Sequence, residues 1–174
     1  MSHFEKVSFE IWSEDMKKSG IKGISNELLR KWYDEIKLPM QATTHSAGCD
    51  IFMPYCFNHA SKTSAIIPTG IRWVNDIDNC SGKVLLIFPR SGLGFKHGIR
   101  LSNTVGVVDE DYFISDNQGH ILVSLYNPSD SDVYYEKGKA FSQAIIVKYE
   151  IPNGAESSSS RNGGFGSTDT NEKI

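Results

Sequence analysis

Ile24, Leu28, Leu29, Trp32 and Tyr33 recur at helical spacing, and Ser25 or Asn26 stands where an N-cap would accept the first free amides. The pattern predicts an amphipathic helical extension over residues 1–35. Its charges are mixed in sign rather than basic, so the apolar stripe is expected to pack on the rest of the chain and not on a lipid surface. From Ile36 to Ile151 the rhythm changes to short apolar runs rich in β-branched and aromatic residues, separated by Gly, Pro, Asn and Asp. That punctuation predicts strands at Ile36–Ala42, Cys49–Phe52, Thr63–Ile67, Ile71–Val74, Lys83–Pro89, Gly106–Val108, Ile121–Tyr126 and Ala144–Tyr149. Turns are expected at Pro68-Thr69-Gly70 and Glu136-Lys137-Gly138. Many short strands at this spacing indicate an all-β sandwich or jelly roll over residues 36–151. Val84-Leu85-Leu86-Ile87-Phe88 is apolar on both faces, so its outer face needs cover from the extension, a second sheet or another subunit. Residues 152–174 carry the Ser157–Ser160 run and no apolar period, and are expected to form a flexible C-terminal arm.

The chain of 174 residues is long enough for one domain with a real core and some length to spare. Cys49, Cys56 and Cys80 are odd in number and lack metal-ligand spacing, which predicts reduced thiols in a cytoplasmic setting and no zinc site. A formal net charge of −3 argues against direct nucleic-acid binding, yet it allows a local basic pocket for one polyphosphate. Met1 to Trp12 has no apolar core segment and no stretch approaches ~20 apolar residues, so neither a signal peptide nor a membrane span is expected.

Five phrases could carry chemistry. Ser46-Ala47-Gly48-Cys49-Asp50-Ile51 sets a carboxylate beside a small-residue turn, where Asp50 could hold a hydrated cation or merely cap the turn. Pro89-Arg90-Ser91-Gly92-Leu93-Gly94-Phe95-Lys96-His97-Gly98 follows an apolar strand and offers cations, a hydroxyl and a Gly-rich backbone to a polyanion, though it also reads as a basic turn. It lacks P-loop spacing. Asn103 through Tyr112 places Asp109 directly after an apolar run, where it could take a proton from water, or where a hairpin simply ends in solvated acids. In Lys137 through Ile146, Gln143 is polar among apolar neighbours and needs a partner, main chain or ligand. Arg161-Asn162-Gly163-Gly164-Phe165-Gly166-Ser167-Thr168 sets an aromatic face among glycines with two hydroxyls behind it; it reads as a lid over a nucleotide or as a terminal Ser/Gly linker.

Taken in order, these phrases resemble the five motifs of the trimeric dUTP diphosphatases (dUTPases), and Ile67-Pro68-Thr69-Gly70-Ile71 is a further phrase typical of that family. The resemblance covers about Ile36 to Thr168. It implies a jelly-roll-like β-barrel subunit, a homotrimer with active sites shared between chains, dUTP as substrate and Mg²⁺ as cofactor. By this likeness Asp109 would activate the water that attacks the α-phosphorus, and Asp50 would reach the metal through its water shell. Ser91, Gly92 and Gln143 would bind phosphate oxygens, with Arg90 in support. Asn103 and the backbone of Gly106 and Val108 would read uracil, while Tyr112 would lie under the deoxyribose and exclude a ribose hydroxyl. Phe165 would cover the base, with Arg161, Gly166, Ser167 and Thr168 around the phosphates.

Several positions depart from the family pattern. Phe113-Ile114-Ser115-Asp116-Asn117-Gln118 intervenes between Tyr112 and Gly119, where the family turns within a residue or so. This insertion could be inert, alter access or bind a protein partner. Ala140 and Ser142 replace a charged and a small apolar residue, and Arg161 stands one place after the position of the family arginine, which is Ser160 here. A dCTP deaminase shares the fold, but its acid would fall at Ser124, leaving no carboxylate to shuttle protons. A nucleotide-responsive regulatory protein is a third reading, in which closure of the arm controls a partner.

Overall fold

A computed structural model of the protein describes residues 2–21, 23–75 and 82–155. In chain order its elements are β1 (His3–Lys6), α1 (Phe9–Lys18), α2 (Asn26–Asp34), β2 (Met40–Gln41), β3 (Cys49–Phe52), β4 (Phe57–His59), β5 (Ser64–Pro68) and β6 (Ile71–Val74). They continue with β7 (Lys83–Pro89), α3 (Ser91–His97), β8 (Arg100–Leu101), β9 (Gly106–Val108), a 3₁₀ turn (Tyr112–Ile114), β10 (Leu122–Tyr126), β11 (Val133–Tyr135) and β12 (Ala140–Lys148). The largest sheet runs β2-β3-β12-β7-β9; a second runs β5-β10-β8, and β1-β6 and β4-β11 form pairs. All these pairings are antiparallel. The fold is all-β and jelly-roll-like, as the apolar punctuation indicates.

Of the expected strands, Ile36–Ala42 shortens to Met40–Gln41. Ile36 is buried in the core and Pro39 has no amide to donate to a ladder, so only the end of the segment can pair. The last strand begins earlier than expected, at Ala140, and crosses a register irregularity at Ala140–Ser142 before pairing with both β3 and β7. Ser91–His97, read as a Gly-rich turn, is a short helix ended by Gly98 at φ 67°, whose amide donates to Gly94 O and Leu93 O.

Residues 3–34 hold a strand as well as two helices. The Ser8 side chain caps α1 by accepting from Ile11 N, and Ser25 caps α2 by accepting from Leu28 N. Trp12 and Met16 of α1, Leu29 of α2 and Ile36 beyond it join one core with Ile67, Ile71, Trp73 and Leu125. Trp12 Nε1 donates to Pro68 O at 3.0 Å. Gly70 permits this approach: it has φ 76°, and a Cβ there would overlap Ile36 Cδ1 and lie 3.1 Å from Trp12 Cδ1. His120, fully buried, accepts from Gly70 N through Nε2 at 2.9 Å, which leaves the proton on Nδ1 to be donated to Asp15 Oδ2 at 2.6 Å.

Among the described residues the extension pairs with β6 and packs on β5, away from the outer face of the large sheet. Val84, Leu86 and Phe88 are half-buried there, while Val107, the register partner of Leu86, is 63% exposed and Ile146 is 42% exposed.

His59 on β4 makes one property of this core pH-dependent. Its side chain is buried and Nε2 lies 2.9 Å from Thr63 O. Burial pushes its pKa below the ordinary value of 6.5, an effect that the Thr63 carbonyl and Asp132 offset only in part. The folded state therefore holds His59 neutral at pH values where the unfolded chain already binds a proton. Stability from this group is complete above about pH 6.5 and is lost as the pH falls from there through the depressed value. Melting temperatures recorded from pH 7.5 to 5 should fall more steeply for the native protein than for His59→Gln; parallel curves would exclude His59 as the source.

Candidate active site

The ends of β3, β12 and β7 meet to form the first half of the site. Gln143 on β12 pairs with Asp50 of β3 on one side and with Phe88 of β7 on the other. Its Nε2 donates to Pro89 O at 3.3 Å, and its Oε1 would stand 2.9 Å from a Cβ at Gly48, so the small residue there makes room for the amide. Arg90 caps the start of α3, with its amide donating to Phe141 O at 3.1 Å. Its Nη1 donates to Asp50 Oδ2 at 2.9 Å, a pairing between residues 40 positions apart. The Asp50 side chain is 13% exposed and that of Arg90 41%. Ser91 and Gly92 are the first helical residues, exposed, with N–H groups that have no acceptor inside the helix. Burial raises the pKa of the Cys49 thiol beside Asp50, and the Asp50 charge raises it further, both of which disfavour its thiolate.

The second half lies at the other edge of β7. β9 is held to it by Gly106, where a Cβ would stand 3.0 Å from Ile87 Cβ. Before β9 the chain turns tightly at Ser102–Val105, with Thr104 at φ 68° and Asn103 exposed; Val105 N donates to Asn103 O at 2.7 Å. Asp109 follows β9 and is exposed, and its carbonyl accepts from Tyr112 N at 3.1 Å. Its neighbour Glu110 is buried, accepting from Asn75 Nδ2 at 2.5 Å and from Lys83 N at 3.4 Å. The sequence singled out Asp109 but assigned no role to Glu110, and it is Glu110 that anchors the segment carrying Asp109. Tyr112 is 8% exposed.

The chain thus brings Asp50, Arg90, Ser91, Gly92 and Gln143 together, and separately Asn103, Gly106, Val108, Asp109 and Tyr112. Gly106 pairs with Ile87, so it and the Asn103 turn before it lie toward the Pro89 end of β7, across that strand from Gln143; Asp109 is carried away from the first group. Val108 pairs with Leu85, so Asp109 sits beside the Lys83 end of β7, whereas Arg90 follows Pro89 at the opposite end. Six residues of extended strand separate those levels by roughly 20 Å. Arg161, Phe165, Gly166, Ser167 and Thr168 lie outside the described residues.

The sequence model of the dUTPase family matches residues 34–169, most of the chain and all five phrases. The chain belongs to the dUTPase family. This dUTPase is 36% identical over 136 residues to the deoxyuridine 5'-triphosphate nucleotidohydrolase of Lactococcus lactis, covering 76% of this chain and 88% of that protein. It is 38% identical over 143 residues to the corresponding enzyme of Shewanella baltica, covering 78% and 89%. Among solved structures, dUTPase from Streptococcus mutans superposes with a TM-score of 0.61 at 32% identity, over 70% of this chain and 92% of that one. The dUTPase of Staphylococcus aureus phage phi11 shares the fold at TM-score 0.63 and 14% identity, over 91% and 97%. The chain is accordingly a dUTP nucleotidohydrolase. Among the described residues no helix is long and apolar enough to cross a membrane.

Proposed function

We propose that the chain hydrolyses dUTP to dUMP and diphosphate as a homotrimer whose active sites combine residues of neighbouring subunits. The observation that carries this reading is the placement of Asp109 at the Lys83 end of β7 and of Arg90, Ser91 and Gly92 beyond Pro89 at the other, so that one chain does not set the base beside its own phosphate-binding groups. A second copy can supply the missing half to each. The exposed apolar face containing Val107 and Ile146 supports association as well.

In such a site Asp109 takes a proton from water, whose oxygen attacks the α-phosphorus as the bond to the bridging oxygen breaks and diphosphate leaves. Ser91, Gly92 and Gln143 bind phosphate oxygens. Arg90 supports them from its bond to Asp50. Asn103 and the backbone of Gly106 and Val108 take the uracil on the tight turn before β9, and Tyr112 lies beneath the deoxyribose. Phe165 covers the base, and Arg161, Gly166, Ser167 and Thr168 enclose the phosphates, excluding water.

Among the described residues no group of three or more His, Cys, Asp or Glu is placed to hold a metal directly. A single carboxylate beside a polyphosphate suits Mg²⁺, which keeps several of its waters and is commonly bound through one carboxylate and substrate oxygens. Asp50 is the residue that would hold such an ion, through its water shell. Bound on the triphosphate, Mg²⁺ would neutralise charge on the phosphate oxygens. The phi11 dUTPase contains a structural Mg(II) ion. Deamination of dCTP is disfavoured at Ser124, whose hydroxyl bonds Ser102 Oγ at 2.9 Å and offers no carboxylate. The half-buried Cys49 and exposed Cys56 are free thiols, suited to the cytoplasm.

Diphosphate release from dUTP, dTTP, UTP and dCTP tests the substrate, with dUTP turned over selectively. Co-expression of Asp109→Asn with Gln143→Ala tests the shared site. Each variant alone should be nearly inactive, while random assortment in mixed trimers restores about a quarter of the sites. Mixtures no more active than their parents would mean that both residues serve from one chain.

A further inference from the structure

The chain folds back on itself directly after Tyr112. Gln118 N donates to Ser115 O at 2.7 Å and His120 N to Asn117 O at 3.1 Å, with Gln118 and Gly119 both left-handed at φ 59° and 72°. A Cβ at Gly119 would stand 2.5 Å from Phe113 Cα and 3.0 Å from Tyr112 O, so the inserted turn closes against the backbone of Tyr112 itself. Inside it, Asn117 Nδ2 donates to the Tyr112 hydroxyl at 2.9 Å. Asn117 Oδ1 accepts from Gly119 N at 3.1 Å and lies 2.7 Å from Ser115 Oγ. With both ends of the amide engaged, its orientation is fixed. Tyr112 O–H points to His120 O at 3.5 Å, the limit of a hydrogen bond, so Asn117 is the firmer of these two partners.

The turn is fastened in its own right to the N-terminal elements. Gln118 Oε1 accepts from Ser8 N at 2.9 Å, and Gln118 O accepts from Arg72 Nη1 at 3.4 Å. Arg72 in turn pairs with Glu5 of β1. His120, at the end of the turn, is held by Asp15 of α1 and by Gly70. The insertion and the extension, the two parts of the chain outside the common dUTPase pattern, therefore meet each other next to Tyr112.

We propose that Asn117 is a positioning residue for sugar discrimination: it pins the Tyr112 hydroxyl, and so fixes the ring, from a turn that the N-terminal elements hold in place. The proposal rests on the reading of Tyr112 as the residue beneath the deoxyribose. Steric rejection of a 2'-hydroxyl requires a ring that cannot yield, since a displacement well under 1 Å would admit the extra atom. A tyrosine held at its backbone and at its hydroxyl meets that requirement better than one held at the backbone alone.

The readout is the ratio of kcat/KM for dUTP over UTP, taken with the melting temperature. Asn117→Ala should lower the ratio about tenfold, as Tyr112→Phe should, through loss of one hydrogen bond. The double variant should fall no further than the worse single one, because both remove the same contact. Asn117→Asp, into which the Tyr112 hydroxyl can donate, should keep most of the discrimination. A lower melting temperature with an unchanged ratio in Asn117→Ala overturns the proposal, as do single effects that multiply in the double variant. If Asn117→Ala does not fold, an unchanged ratio in Tyr112→Phe overturns it equally. Tyr112→Ala separates the two layers: an unchanged ratio there removes the sugar reading itself, whereas a collapsed ratio there beside a native ratio in Asn117→Ala removes only the positioning role.

Discussion

With Asp109 as the proposed base, Asp109→Asn is expected to lower the rate of dUTP hydrolysis about a thousandfold or more while leaving dUTP binding within a few-fold of the native protein. Asparagine matches aspartate in shape and still accepts a hydrogen bond, but it cannot take a proton from the attacking water. Asp109 is exposed at the end of β9, whereas Glu110 beside it is buried and held by Asn75 and Lys83 N. The two acids therefore separate by environment, one exposed at the end of the strand and one holding the segment. Glu110→Gln should act chiefly on stability, with activity per folded molecule largely kept. Single-turnover rates under saturating dUTP, set beside equilibrium binding of a non-hydrolysable analogue, distinguish these effects. An Asp109→Asn protein that turns over dUTP within tenfold of native would assign the base to another group.

The parts of this architecture most legible in the sequence are those where burial and periodicity agree. Cys49–Phe52, Ile71–Val74, Lys83–Pro89 and Gly106–Val108 form strands at the bounds their apolar runs indicate. β1 carries no such signal, since His3-Phe4-Glu5-Lys6 becomes a strand only through its pairing with Ile71–Val74. The helix at Ser91–His97 contains two glycines, which local propensity penalises, and it forms because Arg90 N is tied to Phe141 and Gly98 closes the far end. α1 was legible in principle: Ser8 caps it and Phe9, Trp12 and Met16 share one face, although mixed charges break up the run. At the site, residue types pointed to Asp50, Arg90 and Gln143 singly. Their joining through the Asp50–Arg90 bond depends on β3 and β7 both pairing with β12, a long-range fact that no local window contains. Asn117 was hidden for a related reason, because its role comes from a turn held by Ser8 and Arg72, far away in the chain.

Trp12→Ala destabilises the protein by about 3–5 kcal/mol, a large share of the ~5–15 kcal/mol that holds a domain of this kind together. The ring is fully buried, lies 5.8 Å from that of Tyr33, and donates from Nε1 to Pro68 O. Truncation removes one of the two buried tryptophans of the core and strands the Pro68 carbonyl at the turn into Gly70, whose backbone is shaped around Trp12 and Ile36. The cavity cannot close cheaply, because Gly70 is fixed from its other side by His120, itself fastened to Asp15 of the same helix. Trp12→Phe separates packing from the hydrogen bond and should cost much less than Trp12→Ala. Denaturant unfolding followed by fluorescence and far-ultraviolet dichroism gives both values, with the midpoint shifting and the slope unchanged if unfolding stays two-state. Loss of the ring also loosens the helix that anchors His120, so Trp12→Ala should weaken discrimination against UTP at temperatures where the chain remains folded. A cost below about 1 kcal/mol in Trp12→Ala would mean that the N-terminal helices dock on the β core instead of completing it.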